Sequence, residues 1–113
     1  MLPTGMRILI CAERQDMRRS FDKLAQVARE LLGEEPQSGA LYVFVSKNAT
    51  RVKVLWWDRN GYCLLYKRLH RALFRIPSEA AKVGASIQID AEALASLLAG
   101  VEKKASEEER DLH

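Results

Sequence analysis

Residues 51–70 read RVKVLWWDRNGYCLLYKRLH, and the pattern of this stretch decides the fold. Two runs rich in Val, Leu, Trp and Tyr flank Asp58-Arg59-Asn60-Gly61. Such runs around an Asn-Gly signal predict a β-hairpin, with strands over residues 50–57 and 62–69. Two registers fit the turn. A two-residue turn at Asn60-Gly61 sets Lys53 opposite Arg68 and Leu55 opposite Tyr66. A three-residue turn over Arg59-Asn60-Gly61, with a glycine bulge, sets Lys53 opposite Lys67 and Leu55 opposite Leu65. Both set Lys53 against another cation, which costs stability unless an anion bridges the pair or the long side chains splay into water.

Alternation puts Arg51, Lys53 and Trp57 on one strand face and Val52, Val54 and Trp56 on the other. The first face is basic and aromatic; the second is core. Adjacent Trp56 and Trp57 cannot both point inward from a regular strand. One of them is either covered by a helix or loop, or exposed to a partner.

Moving toward the N-terminus, residues 40–46 read as a strand joined to the hairpin through Lys47-Asn48-Ala49, so the three strands form an antiparallel meander. Residues 34–39 form a loop punctuated by Pro36 and Gly39. Before it, Asp16 is placed to cap a helix running to Leu32, with Gly33 as terminator. Met17, Phe21, Leu24, Ala28 and Leu31 share one face of that helix and read as core. Arg18 and Arg19 then fall in its first turn, where the helix dipole disfavours cations. A neighbour such as Asp22, or an external anion, has to compensate. Residues 7–12, RILICA, form a buried strand.

Toward the C-terminus, residues 74–77 add a short edge segment limited by Pro77. Residues 86–89 form a last strand. Asp90 caps a helix whose Leu94, Leu97, Leu98 and Val101 share a face, with Gly100 weakening its end. The expected class is α+β: an antiparallel sheet of about four or five strands with two amphipathic helices packed on one face. The expected organisation is one domain over residues 1–104 and an acidic flexible tail over residues 105–113.

The chain's 113 residues fit one domain, and 48% hydrophobic with 29% charged residues excludes wholesale disorder. No apolar run approaches the roughly 18 residues a membrane-spanning helix needs, and no signal peptide is expected from residues 1–10. Cys11 and Cys63 stand far apart in no metal-binding spacing, which predicts free thiols and a cytoplasmic setting.

The net charge of +3 hides an asymmetry. Residues 47–75 carry eight Lys and Arg against Asp58 alone, whereas residues 90–113 carry three against seven carboxylates. A basic middle invites a polyanion, or serves only as a solvated face. Aromatics among cations on a sheet suit nucleic acid, because bases stack on rings while Lys and Arg hold the backbone. The candidate nucleic-acid contacts are Arg18, Arg19, Lys47, Arg51, Lys53, Trp57, Tyr66, Lys67, Arg68 and Arg71.

Residue patterns for catalysis do not emerge. The chain has no glycine-rich phosphate loop, zinc spacing or nucleophile elbow. Cys11 reads as inert core, and His70 lies among basic residues. Of the carboxylates a two-metal nuclease would use, Asp16 and Asp58 are explained as cap and turn residue, leaving Asp22. No enzymatic activity, cofactor or metal is expected.

Several blocks together resemble a known family. They are Asp16-Met17-Arg18, Phe21-Asp22, Leu41-Tyr42-Val43-Phe44, Lys53-Val54-Leu55-Trp56-Trp57-Asp58, Gly61, Cys63-Leu64, Tyr66 and Lys67-Arg68-Leu69. In order and spacing they resemble the TnpB-type accessory protein of insertion sequence family 66, the product of the element's second reading frame. Residues 87–100 are similar to that family's closing strand and helix. Ser20 stands where the family often has Gly, and Arg75-Ile76 precede Pro77 where an aromatic is usual. Lys47-Asn48-Ala49-Thr50 is less basic than the common form of that turn. The resemblance implies a bacterial mobile-element protein that assists transposition, beside a separate, larger transposase. Its expected partners are DNA, at element ends or target, and that transposase. In the alternative, an adaptor role, Trp57 and Tyr66 anchor the transposase with no direct DNA recognition.

Overall fold

The computed structural model describes residues 5–76 and 82–102. In chain order the elements are β1 (Ile8–Cys11), α1 (Phe21–Glu30), β2 (Leu41–Val45), β3 (Arg51–Asp58), β4 (Gly61–Arg68), β5 (Ala72–Leu73), β6 (Lys82–Val83), β7 (Ser86–Ile89), α2 (Ala91–Ala99) and β8 (Val101–Glu102). Six strands form one sheet in the order β4-β3-β2-β1-β7-β6. The class is α+β as expected, and β2-β3-β4 form the expected meander. The sheet is mainly antiparallel. Its one parallel pair, β1 with β2, is made possible by α1, which carries the chain back to start β2 beside β1. Pro77 and residues 105–113 lie outside the described residues.

The helices divide between the two faces of the sheet instead of sharing one. Leu24, Ala25 and Ala28 of α1 cluster with Leu9, Cys11, Tyr42, Phe44 and Leu55. Leu94 and Leu97 of α2 cluster with Ile8, Ile10, Val43, Val45, Val52 and Val54. The cause is visible in β1 and β2, ILIC and LYVFV, where every residue is buried. Strands apolar on both faces need a layer on each.

Helix α1 starts at Phe21, four residues later than expected, with Ser20 as N-cap in place of Asp16. Asp16 closes a local turn instead. Its carboxylate accepts the Arg18 N–H at 2.9 Å, and its carbonyl accepts the Arg19 N–H at 3.1 Å. Asp competes well for such turns, so the capping signal was real but served a different turn. Arg18 and Arg19 therefore precede the helix. The apolar stripe shifts too: Phe21 and Leu31 are exposed, whereas Met17 reaches the core from the preceding turn.

At the other end Asp90 caps α2 as expected, accepting the Ala93 N–H at 2.8 Å. Gly100, at φ +78°, stops the helix, so Val101 leaves the helical face and pairs in β8 with Leu73 of β5. The short strand expected over residues 74–77 lies instead at Ala72–Leu73, and Phe74 is buried.

The hairpin adopts neither expected register. Asp58 pairs with Gly61, so the two-residue turn is Arg59-Asn60. Arg59 takes φ +58°, the positive value primed hairpin turns require at that position. Lys53 therefore faces Tyr66, and Arg51 faces Arg68.

Candidate nucleic-acid interface

The candidate interface forms at the end of the meander where β2 stops, β3 starts and β4 stops. The chain enters this end through the turn 46–50, which Asn48 organises. Its Oδ1 accepts the Ser46 hydroxyl at 2.8 Å and the Thr50 hydroxyl at 2.8 Å. Ser46 Oγ in turn accepts the Arg51 N–H at 3.0 Å. An Asn bonding to groups two residues away is the side-chain turn its residue type favours. The result places Lys47 within, and Arg51 directly after, one hydrogen-bonded turn.

Residues 15–19 are laid alongside this turn. Gln15 continues the parallel pairing of β1 with β2, bridging Ser46 and donating its N–H to the Val45 carbonyl at 2.9 Å. The buried Gln15 side chain accepts Arg19 Nη1 at 2.9 Å and donates to the Glu13 carbonyl at 3.2 Å. Arg18 forks onto Asp16, with contacts of 3.0 Å from Nε and 2.6 Å from Nη2 to Oδ2. These hydrogen bonds hold the Asp16 carboxyl far below the usual carboxylate range. The compensation expected for Arg18 is thus a local ion pair, made by Asp16 and not by Asp22.

Two adjoining cavities result. One, of about 390 Å³, is lined by Gln15, Asp16, Met17, Arg18, Ser46, Lys47, Asn48 and Arg51. The second, of about 300 Å³, is lined by Arg51, Tyr66 and Arg68. Arg51 belongs to both, so they read as one groove. Arg51 and Arg68 are direct cross-strand partners and exposed. Among the described residues, no carboxylate forms an ion pair with Lys47, Arg51 or Arg68. The groove can therefore bind an oxyanion without first breaking a contact at those three residues.

The other predicted residues line neither of these cavities. Lys53 shares the face of Arg51 and Arg68 but is buried, at 5% exposure. Its ammonium donates to the Arg19 carbonyl at 2.6 Å and lies 4.7 Å from the Tyr66 ring centroid. Burial pulls its pKa below the usual lysine value, against the opposing field of Asp16. Lys67 points to the opposite face and donates to the Leu98 carbonyl in the last turn of α2 at 2.8 Å. Trp57 lies about 20 Å along β3 from Arg51. It is half-buried and packed edge-on against Tyr62, with centroids 5.0 Å apart. Trp56 packs toward the core of the other face. Arg71, exposed and at φ +61°, sits in the loop between Leu69 and Phe74, whose N–H groups bond the Thr50 and Ala49 carbonyls.

Sequence reasoning missed Gln15, Ser46 and Asn48. The turn chemistry of Asn48 was available as a signal. Nothing local marks Gln15, whose role depends on β1 and β2 being parallel neighbours. Among the described residues, no group of three or more His, Cys, Asp or Glu could hold a metal ion, and no helix is long and apolar enough to cross a membrane.

The family model described as IS66 Orf2 like protein matches residues 6–108 of this chain. An uncharacterized protein of Sinorhizobium fredii, y4hO, is 38% identical over 104 residues, covering 90% of this chain and 88% of its own. A second from the same organism, y4jC, is 30% identical over 98 residues, covering 87% and 81%. No solved structure matches.

Proposed function

From the premise that the chain belongs to the IS66 Orf2-like family of insertion-sequence accessory proteins, we propose that it assists transposition by binding DNA, without catalysing strand chemistry itself. The groove of Lys47, Arg51 and Arg68, with Arg18 at its rim, takes the phosphates. One observation carries this reading. Arg51 and Arg68 face each other across the hairpin with no carboxylate partner among the described residues. Like charges directly opposite destabilise a strand pair. A phosphate between the two guanidiniums converts that repulsion into two charge-assisted contacts.

The test is fluorescence anisotropy of the full chain with labelled duplex DNA from an element end, at a range of salt concentrations. Three phosphate contacts give a slope of about −3 for log affinity against log salt. Arg51→Glu weakens binding on any DNA sequence, because phosphate contacts position and do not specify. Absence of binding at low salt overturns the reading. Retention of the element's transposase on the immobilised protein, with no DNA affinity, assigns the same Tyr and Arg patch to a protein partner instead.

A further inference from the structure

The cavity lined by Arg51, Tyr66 and Arg68 contains a feature that phosphate binding alone leaves unused. Tyr66 is 51% exposed, the most exposed large hydrophobic side chain among the described residues. It shares a sheet face with Arg68 two positions along β4 and with Arg51 on the diagonal of β3. A surface tyrosine ordinarily swings between rotamers, and ordering it on binding costs entropy. Here the ring already has a cation against it, which favours one rotamer. The Lys53 ammonium lies 4.7 Å from its centroid, and that ammonium is tied to the Arg19 carbonyl at 2.6 Å. The ring therefore has a partner on one side from within the protein. Its exposed part opens on a cavity of about 300 Å³ beside two guanidiniums that have no carboxylate partner among the described residues.

We propose that this cavity takes an unpaired DNA base stacked on Tyr66, with the flanking phosphates held by Arg51 and Arg68. The proposal rests on the DNA-binding reading and names its ligand as single-stranded DNA. Its logic is the combination of groups. A duplex phosphate or a protein carboxylate engages the arginines but leaves the ring idle. A base within a duplex uses both faces on its neighbours, so only an unpaired base offers one to a protein ring. Stacking on an aromatic side chain is open to every base, so the site discriminates strandedness and not sequence.

The full chain is titrated with a labelled oligothymidylate of about 15 nucleotides and with a duplex of the same length. Wild type binds the single strand more tightly. Tyr66→Leu keeps apolar bulk but not the flat ring, and it weakens single-strand binding about tenfold, a larger loss than it causes on the duplex. Tyr66→Phe retains single-strand affinity. An oligonucleotide carrying 5-iodouracil cross-links to Tyr66, mapped by mass spectrometry. Duplex binding with no preference for the single strand, or a Tyr66→Leu effect equal on both forms, overturns this inference and leaves the phosphate groove standing. Failure of both DNA forms to bind overturns the two together.

Discussion

Lys53 holds its ammonium 4.7 Å from the centroid of the Tyr66 ring, directly across the strand pair. The same ammonium bonds the Arg19 carbonyl at 2.6 Å, tying the segment before α1 to the middle of β3. This cation works inward. Lys53→Ala removes the donor to that carbonyl and the packing of the methylene stem. Hydrogen bonds from charged groups contribute about 1.5–3 kcal/mol. The desolvation cost behind the lowered lysine pKa offsets part of this. Urea unfolding is expected to show a loss of about 1–3 kcal/mol. An unchanged midpoint would mean the buried ammonium is neutral in its effect on the fold.

Arg68→Glu separates stability from binding. In the free protein Arg68 lies opposite Arg51, so the substitution turns a like-charge pair into an opposite-charge one. Cross-strand pairs of that kind contribute about 0.2–1 kcal/mol, and the variant is expected to be more stable than wild type by that order. Its DNA affinity is expected to fall, with a shallower salt slope. A variant less stable than wild type would show that the two guanidiniums do not repel as their register implies.

Lys67→Ala is the matching control. Lys67 is next to Arg68 in sequence but on the opposite sheet face, where its ammonium reaches the Leu98 carbonyl. A cation at a helix C-terminus contributes about 0.3–1 kcal/mol. Thermal unfolding is expected to shift down slightly, with DNA affinity and salt slope unchanged. A drop in DNA affinity equal to that of Arg68→Glu would show that charge density, and not the groove, governs binding.

These contrasts explain which parts of the molecule were legible in the sequence. Strands β1, β2, β3, β4 and β7 were legible because apolar runs bounded by turn residues have few other uses, and the Asp90 cap because α2 follows it at once. The two-residue strands β5, β6 and β8 carry too short a pattern to read. The start of α1 was not. Asp16 is as good a turn residue as a cap, and the choice depends on Gln15 being pinned beside Ser46. The hairpin register was not legible either. Asn60-Gly61 is the stronger local turn signal, but the observed register sets Lys53 against Tyr66 and Trp57 against Tyr62. Cross-strand pairs decide such contests, and both alternative registers lose these two contacts. Alternation correctly put Arg51 and Lys53 on one face. It carried no information that the segment before α1 reaches Lys53, which separates a buried strut from an exposed anion contact.

Asp16 gives the groove a pH-dependent element and the last prediction. Its carboxylate accepts the Arg18 guanidinium and backbone N–H, and these bonds hold its pKa below the unfolded value of 3.8. Deprotonated Asp16 therefore stabilises the fold fully above that value, and the contribution is lost as pH falls through the lower folded-state pKa. Asp16→Asn is expected to melt below wild type at neutral pH, with the two melting temperatures converging under strongly acidic conditions. Binding should move the other way. Asp16 lines the groove beside Arg18, Lys47 and Arg51, so neutralising it frees one guanidinium and adds one net positive charge. The expected result is tighter DNA binding at low salt and a salt slope steeper by about one. Loss of both stability and affinity would mean that Asp16 matters by aiming Arg18, so that the paired guanidinium, not the freed one, is the form that meets phosphate.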